Sequence, residues 1–139
     1  MHYSKETMQD HGSHKYLSLI EFINECKECF SFLHTTNTLE KALSICKNGF
    51  IYMQFDKTTD YVCDVVTLAY MLNIRKHYGD YTIIIQISTQ ITNYIEISNK
   101  EYDVDGEEFY VLPPKYIKGF YNRNTHEIIA NPLFSTKIT

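Results

Sequence analysis

Three polar clusters in the 139-residue chain combine residue types able to bind a polyhydroxylated or anionic ligand and to act on it. His34-Thr35-Thr36 follows the apolar run Phe30 to Leu33. Tyr52 ends Phe50-Ile51-Tyr52, and Thr58-Thr59-Asp60-Tyr61 comes soon after. Glu107-Glu108 precedes Phe109-Tyr110-Val111-Leu112. An imidazole exchanges hydrogen bonds near neutral pH, and threonine hydroxyls donate and accept. A tyrosine ring offers a flat apolar face with a polar tip. A carboxylate orients an attacking hydroxyl or stabilises a developing cation. Strand alternation sets Glu108, Tyr110 and Leu112 on one face and Glu107, Phe109 and Val111 on the other, so one acid is directed inward and the other to solvent. The plainer roles are a helix cap for His34-Thr35-Thr36 and solvated turn acids beside Asp103 and Asp105 for the glutamates.

The elements that position these clusters are read from hydrophobic periodicity. Tyr16 to about Glu25 is predicted as an amphipathic helix, with Leu19, Ile20, Phe22, Ile23 and Cys26 on one face. A buried strand at Phe30–His34 runs into a helix over Thr38–Lys47. That helix starts at Asn37 with Glu40 three residues on, carries Leu39, Ala42, Leu43 and Cys46 at i, i+3, i+4 and i+7, and stops at Gly49. His34, Thr35 and Thr36 would then stand at a helix N-terminus, where free N–H groups and the dipole favour an anionic or polyhydroxylated ligand. Phe50–Met53 is a short strand and Gln54–Asp60 a polar loop. Val62, Val65, Val66, Ala69, Tyr70 and Ile74 predict the longest helix, from Tyr61 to about His77, with His77 complementing its C-terminus. Tyr81–Ile87 is nearly continuous and β-branched, as a strand buried on both faces should be. Ile91, Tyr94, Ile95 and Ile97 suggest a second short strand or extended segment, and Asn99–Gly106 an acidic turn. Glu108–Leu112 is a strand stopped by Pro113-Pro114, and Tyr116–Tyr121 and Glu127–Ile129 follow, with His126-Glu127 as a strand-edge pair. Helices and strands mixed early and a strand-rich second half make an α+β domain over residues 16–139, after a flexible polar leader, 1–15.

At this length the chain fits one domain with a real core. It is 44% apolar and 22% charged, a globular composition. A net charge of −4 and a pI near 5.8 supply no bulk positive field for tight structural binding of nucleic acid. Twelve Tyr and eight Phe without Trp give many rings with polar tips. Four cysteines include Cys26-x-x-Cys29, but no second pair with zinc-ligand spacing exists, so buried thiols and no metal are expected, in a reducing cytoplasmic setting. His2, His11 and His14 in the leader lack ligand periodicity. No secretory h-region and no membrane-spanning run is present.

In this order, His-x-Thr, helix, Gly, Ile-Tyr, Thr-Thr-x-Tyr, helix, apolar strand and Glu before a β-rich end, the chain resembles the ADP-ribosyltransferase fold. The likeness is to the His…Tyr…Glu branch of poly(ADP-ribose) polymerases and diphtheria-type toxins. Glu108 to Leu112 with Pro113-Pro114 is also similar to DNA-modifying ADP-ribosyltransferase toxins. The resemblance, over about residues 30–121, implies split, antiparallel-rich β-sheets with flanking helices in a single compact domain. It implies NAD as substrate, transfer of ADP-ribose to a protein or nucleic acid acceptor, or plain NAD hydrolysis. By the same resemblance His34 with Thr36, or Thr35, would hold ribose hydroxyls and the nicotinamide amide. Tyr61 or Tyr52 would stack on nicotinamide, and Glu108, or Glu107, would bind a ribose 2′-OH and stabilise the reacting centre. Thr35 stands where the family has Gly or a small residue, the stretch from the His helix to Ile51-Tyr52 is shorter than in many members, and Leu33 stands where the other branch has its Arg. These departures leave a second expectation, a non-catalytic domain of the same fold that binds a nucleotide or a partner protein. A phosphoesterase would need a second His-x-Thr motif, and His11-Gly12-Ser13 is a poor one.

Overall fold

The computed structural model describes residues 16–137; the predicted leader with its three histidines lies outside them. Strands form where β-branched and aromatic residues cluster. β1 (Cys29–Thr36) and β4 (Tyr81–Ser88) pair antiparallel over their whole length, from Cys29 opposite Ser88 to Thr36 opposite Tyr81. With β3 (Asp60–Val62), β7 (Ile117–Asn122) and β8 (Ile128–Ala130) they build a five-stranded sheet in the order β3-β1-β4-β7-β8. A smaller antiparallel sheet has the order β2-β6-β5, from β2 (Phe50–Tyr52), β5 (Asn99–Tyr102) and β6 (Glu108–Leu112). The helices are α1 (Leu17–Asn24), α2 (Leu39–Asn48), the single turn α3 (Phe55–Thr58) and α4 (Val65–Arg75). The expected α+β class with antiparallel sheets and flanking helices is what the chain forms. Among the described residues no helix is long and apolar enough to cross a membrane.

The large sheet is covered on both faces, which is why β4 reads as a continuous apolar run. On one face Leu33, Ile84 and Tyr121 pack against Leu19 and Ile23 of α1 and Leu68 and Leu72 of α4. On the other, Ile83, Ile85, Ile87 and Phe120 meet Ala42 and Cys46 of α2 and Phe50, Tyr52 and Leu112 of the small sheet. Burying each such aliphatic or aromatic side chain contributes roughly 1.5–3 kcal/mol. Gly49 ends α2 at φ +104°, and a Cβ there would stand 2.4 Å from the Leu112 carbonyl oxygen, so the turn into β2 requires glycine.

Several predicted elements are corrected. The helix expected from Tyr61 to His77 is two elements: Asp60–Val62 joins the edge of the large sheet, and α4 starts only at Val65. The break is Asp64, whose Oδ1 accepts from the Thr67 amide at 2.8 Å as the N-cap. His77 lies in the short 3-10 turn after α4. Ile91, Tyr94 and Ile97 are no strand; they pack into the core from a turn-rich segment. Asn99–Gly106, expected as a turn, contributes β5, an exposed edge strand whose pairing with β6 overrides its weak propensity. Gln54–Asp60 holds α3, not only loop. Cys26 lies beyond α1 and forms a disulfide with Cys29, so the expected buried pair of thiols is absent.

Candidate functional site

β1 runs through Thr36, so His34, Thr35 and Thr36 belong to a strand rather than to the helix N-terminus the sequence suggested. The cap of α2 is Thr38, whose hydroxyl accepts from the Lys41 amide at 3.1 Å, and Asn37 instead accepts from Lys41 Nζ. Alternation splits the triplet. Thr35 turns to the helix-covered face and shares a hydrogen bond with Thr82 across the ladder at 3.0 Å. His34 and Thr36 turn to the small-sheet side and line a cavity of about 520 Å³ with Lys41, Asn48 and Phe50.

His34 is half-buried, its ring centroid 4.7 Å from that of Phe50. Its Nδ1–H donates to the Thr58 carbonyl at 2.8 Å, which leaves Nε2 as an acceptor in the neutral ring. Burial holds its pKa below the ordinary imidazole value; the Thr58 hydrogen bond opposes that shift and the Arg75 charge adds to it. Arg75 is itself buried and donates through Nε to Asp60 Oδ2 at 2.7 Å.

Tyr52 and Tyr61 line a different, larger cavity of about 650 Å³, together with Phe32, Phe55, Asp60 and Tyr94. Tyr52 is buried, and its ring stacks between Phe50 at 6.0 Å and Tyr110 at 5.6 Å. Its hydroxyl shares a hydrogen bond with Ser98 Oγ at 2.6 Å, and burial raises its pKa, partly offset by that bond. Tyr61, on the edge strand β3, is 49% exposed and leans on Phe30 and Phe32. The two cavities are divided by Phe50 and Phe55. Phe55 packs 5.0 Å from Phe32, 5.4 Å from Tyr52 and 4.9 Å from Tyr94, and α3 is tied to β1 by the His34–Thr58 bond. Thr59, buried, spends its hydroxyl on the Phe55 carbonyl.

Glu108 opens β6 on the same face as Tyr110 and the buried Leu112, as alternation predicted. The expectation that one acid is directed inward fails, since Glu107 and Glu108 are both exposed at the open end of the strand: Glu108 Oε2 accepts from the Tyr110 hydroxyl at 3.2 Å and Oε1 pairs with Lys100 Nζ at 3.4 Å. Glu107 precedes the strand and is exposed, its amide donating to Asp103 Oδ1. The structure thus brings Tyr52 and Tyr61 to one cleft and links Glu108 to it through Tyr110. His34 and Thr36 stand next door, behind Phe50. A row of contacts, His34, Phe50, Tyr52, Tyr110, runs along the inner face and ends at the exposed Glu108.

Sequence reasoning missed Phe55, Ser98 and the wall-forming role of Tyr94. Their only signal was the unusual ring count; Phe55 sat in a stretch read as polar loop and Tyr94 in one read as strand. His126, at φ +64° in the β7–β8 turn, shares a 2.6 Å bond with the Tyr121 hydroxyl. Among the described residues no three His, Cys, Asp or Glu side chains are grouped to hold a metal ion. Compared with models of protein families, with curated proteins and with solved structures, the chain matches none of them.

Proposed function

We propose that this domain is an ADP-ribosyltransferase-like protein that binds NAD and cleaves its nicotinamide–ribose bond, passing ADP-ribose to water or to a protein or nucleic acid acceptor. The observation that carries this reading is the row of side chains from His34 through Phe50 and Tyr52 to Tyr110, flanked by two cavities and ending at the exposed Glu108 at the rim. The ring-lined cavity of about 650 Å³ offers the faces of Tyr52 and Tyr61 to a flat aromatic amide such as nicotinamide. The neighbouring cavity of about 520 Å³ offers Nε2 of a neutral His34 and the Thr36 hydroxyl to ribose hydroxyls, with Lys41 for a phosphate. In the reaction the ribose C1′–N bond breaks, nicotinamide leaves with the bonding electrons, and an oxygen or nitrogen nucleophile bonds to C1′ and loses its proton to solvent. The Glu108 carboxylate accepts the ribose 2′-OH and stabilises positive charge developing on the ribose.

The test is incubation with NAD and measurement of released nicotinamide, with and without protein and nucleic acid acceptors. The native chain releases nicotinamide, and Glu108→Gln reduces the rate on the order of a hundredfold or more. No release with any acceptor sinks the enzymatic reading.

A second reading, a non-catalytic domain of the same fold that binds a nucleotide or partner, is favoured by one observation. Phe50 and Phe55 stand between His34 and the Tyr52–Tyr61 cleft, and Glu108 is held outward by Lys100. Saturable NAD binding without nicotinamide release selects this reading.

A further inference from the structure

On the other side of Tyr61 from the ring-lined cavity, three of the four cysteines converge on one small cavity. Cys26 and Cys29 form a disulfide where α1 gives way to β1, and Cys63 is an exposed free thiol. All three line the same cavity of about 340 Å³, with Lys27 and Ser31. The disulfide also borders a second cavity of about 440 Å³, so it is open to attack from two sides. Cys63 follows Val62, the last residue of β3, and Val62 pairs with Ser31, two residues along β1 from Cys29. The Cys63 Sγ lies 3.7 Å from Thr67 Oγ1, whose own proton goes to Asp64 Oδ1, and the thiol also hydrogen-bonds the Asp64 side chain. Cys46 is different: it is buried in the core, and desolvation pushes its thiol up to about 11.

We propose that Cys26, Cys29 and Cys63 form an intramolecular thiol–disulfide exchange site. The Cys63 thiolate, its proton released to solvent, attacks Cys29 Sγ. The Cys63–Cys29 bond forms as the Cys26–Cys29 bond breaks, and Cys26 leaves as a thiolate that takes up a proton. One disulfide is present before and after, and no oxidant or reductant is consumed. The exchange replaces a link within the α1–β1 connection by a covalent tie between β1 and the residue that follows its neighbour β3, beside Tyr61. The site stands independently of the NAD reading.

The full chain, purified without reductant, is incubated at about pH 8.5, where an ordinary thiol is half ionised. It is then quenched with acid, labelled with a maleimide and mapped by mass spectrometry. Label on Cys26 together with a Cys29–Cys63 disulfide peptide is the expected result. The Cys63→Ser chain keeps the Cys26–Cys29 link and shows no label at either cysteine, while Cys46→Ala behaves as the native chain does. Label confined to Cys63 overturns the proposal, as does equal labelling of Cys26 in Cys63→Ser. A yield that rises with protein concentration overturns it too, since the exchange would then run between chains.

Discussion

The two faces of the five-stranded sheet share the same strands and are packed in opposite styles. The face under α1 and α4 is closed mostly by aliphatic side chains: Leu19, Ile23, Leu33, Leu68, Leu72 and Ile84. The face toward the small sheet adds many rings to its aliphatic chains Ile83, Ile85, Ile87 and Leu112, with Phe32, Phe50, Tyr52, Phe55, Tyr94 and Phe120 among its packed residues. Branched aliphatic chains interdigitate at crystal-like density and leave little room. Rings meeting edge to face leave wedge-shaped gaps, and tyrosine hydroxyls keep the gap margins polar. The cavities of about 650 and 520 Å³ both open on the ring side. One face holds the fold; the other has space and hydrogen-bonding groups for a ligand.

Truncating one residue on each face tests this division most strongly. Leu68→Ala, at a fully buried position of α4, costs about 2–5 kcal/mol, and Phe55→Ala costs about 3–5 kcal/mol in denaturant unfolding. Only Phe55→Ala changes NAD binding among molecules that remain folded, because its ring divides the two cavities. An equal effect of both on binding would break the distinction between the faces. Next in size is Glu108→Gln, which lowers nicotinamide release by roughly 2.7 kcal/mol of transition-state stabilisation or more. It leaves the unfolding midpoint nearly unchanged, since the carboxylate is exposed and its ion pair with Lys100 is solvent-screened. A matching loss of stability would make Glu108 a structural residue.

Tyr52→Phe keeps the ring stack and removes the hydroxyl bonded to Ser98 and the Tyr94 carbonyl, costing about 0.5–1.5 kcal/mol by thermal or chemical unfolding. It sharpens the comparison by separating the rings from their polar tips. The smallest effect is a pH slope. His34 has a lowered pKa when folded, so below its ordinary value near 6.5 the unfolded chain binds more protons than the folded one. Stability therefore rises with pH across the window from the folded pKa up to about 6.5, and is lost as the pH falls through it. Replacing His34 by Gln flattens that slope in urea melts at several pH values; an unchanged slope assigns the dependence to other groups.

Much of the framework was legible in the chain. Tyr81 to Ile87 specified a strand buried on both faces through its unbroken β-branched run, and Gly49 marked the end of α2 through its left-handed φ. Alternation from Leu112 back to Glu108 named the acid that shares a face with Tyr110. These are local signals, written in side-chain period and backbone freedom. The rest depended on partners far away in sequence. Tyr61 and Val62 looked helical until pairing with β1 and the Asp64 cap divided the segment, and Asn99 to Tyr102 became a strand only because β6 lay beside it. Cys26 looked like part of an apolar helix face, yet the helix ended at Asn24 and its sulfur met that of Cys29. Residue types and order alone determined the α+β class and the candidate groups. Which of them share a cleft, and that Phe50 and Phe55 come between His34 and Tyr61, was decided by the packing of the small sheet on the large one, because long-range packing sets the distances between side chains that no local period encodes.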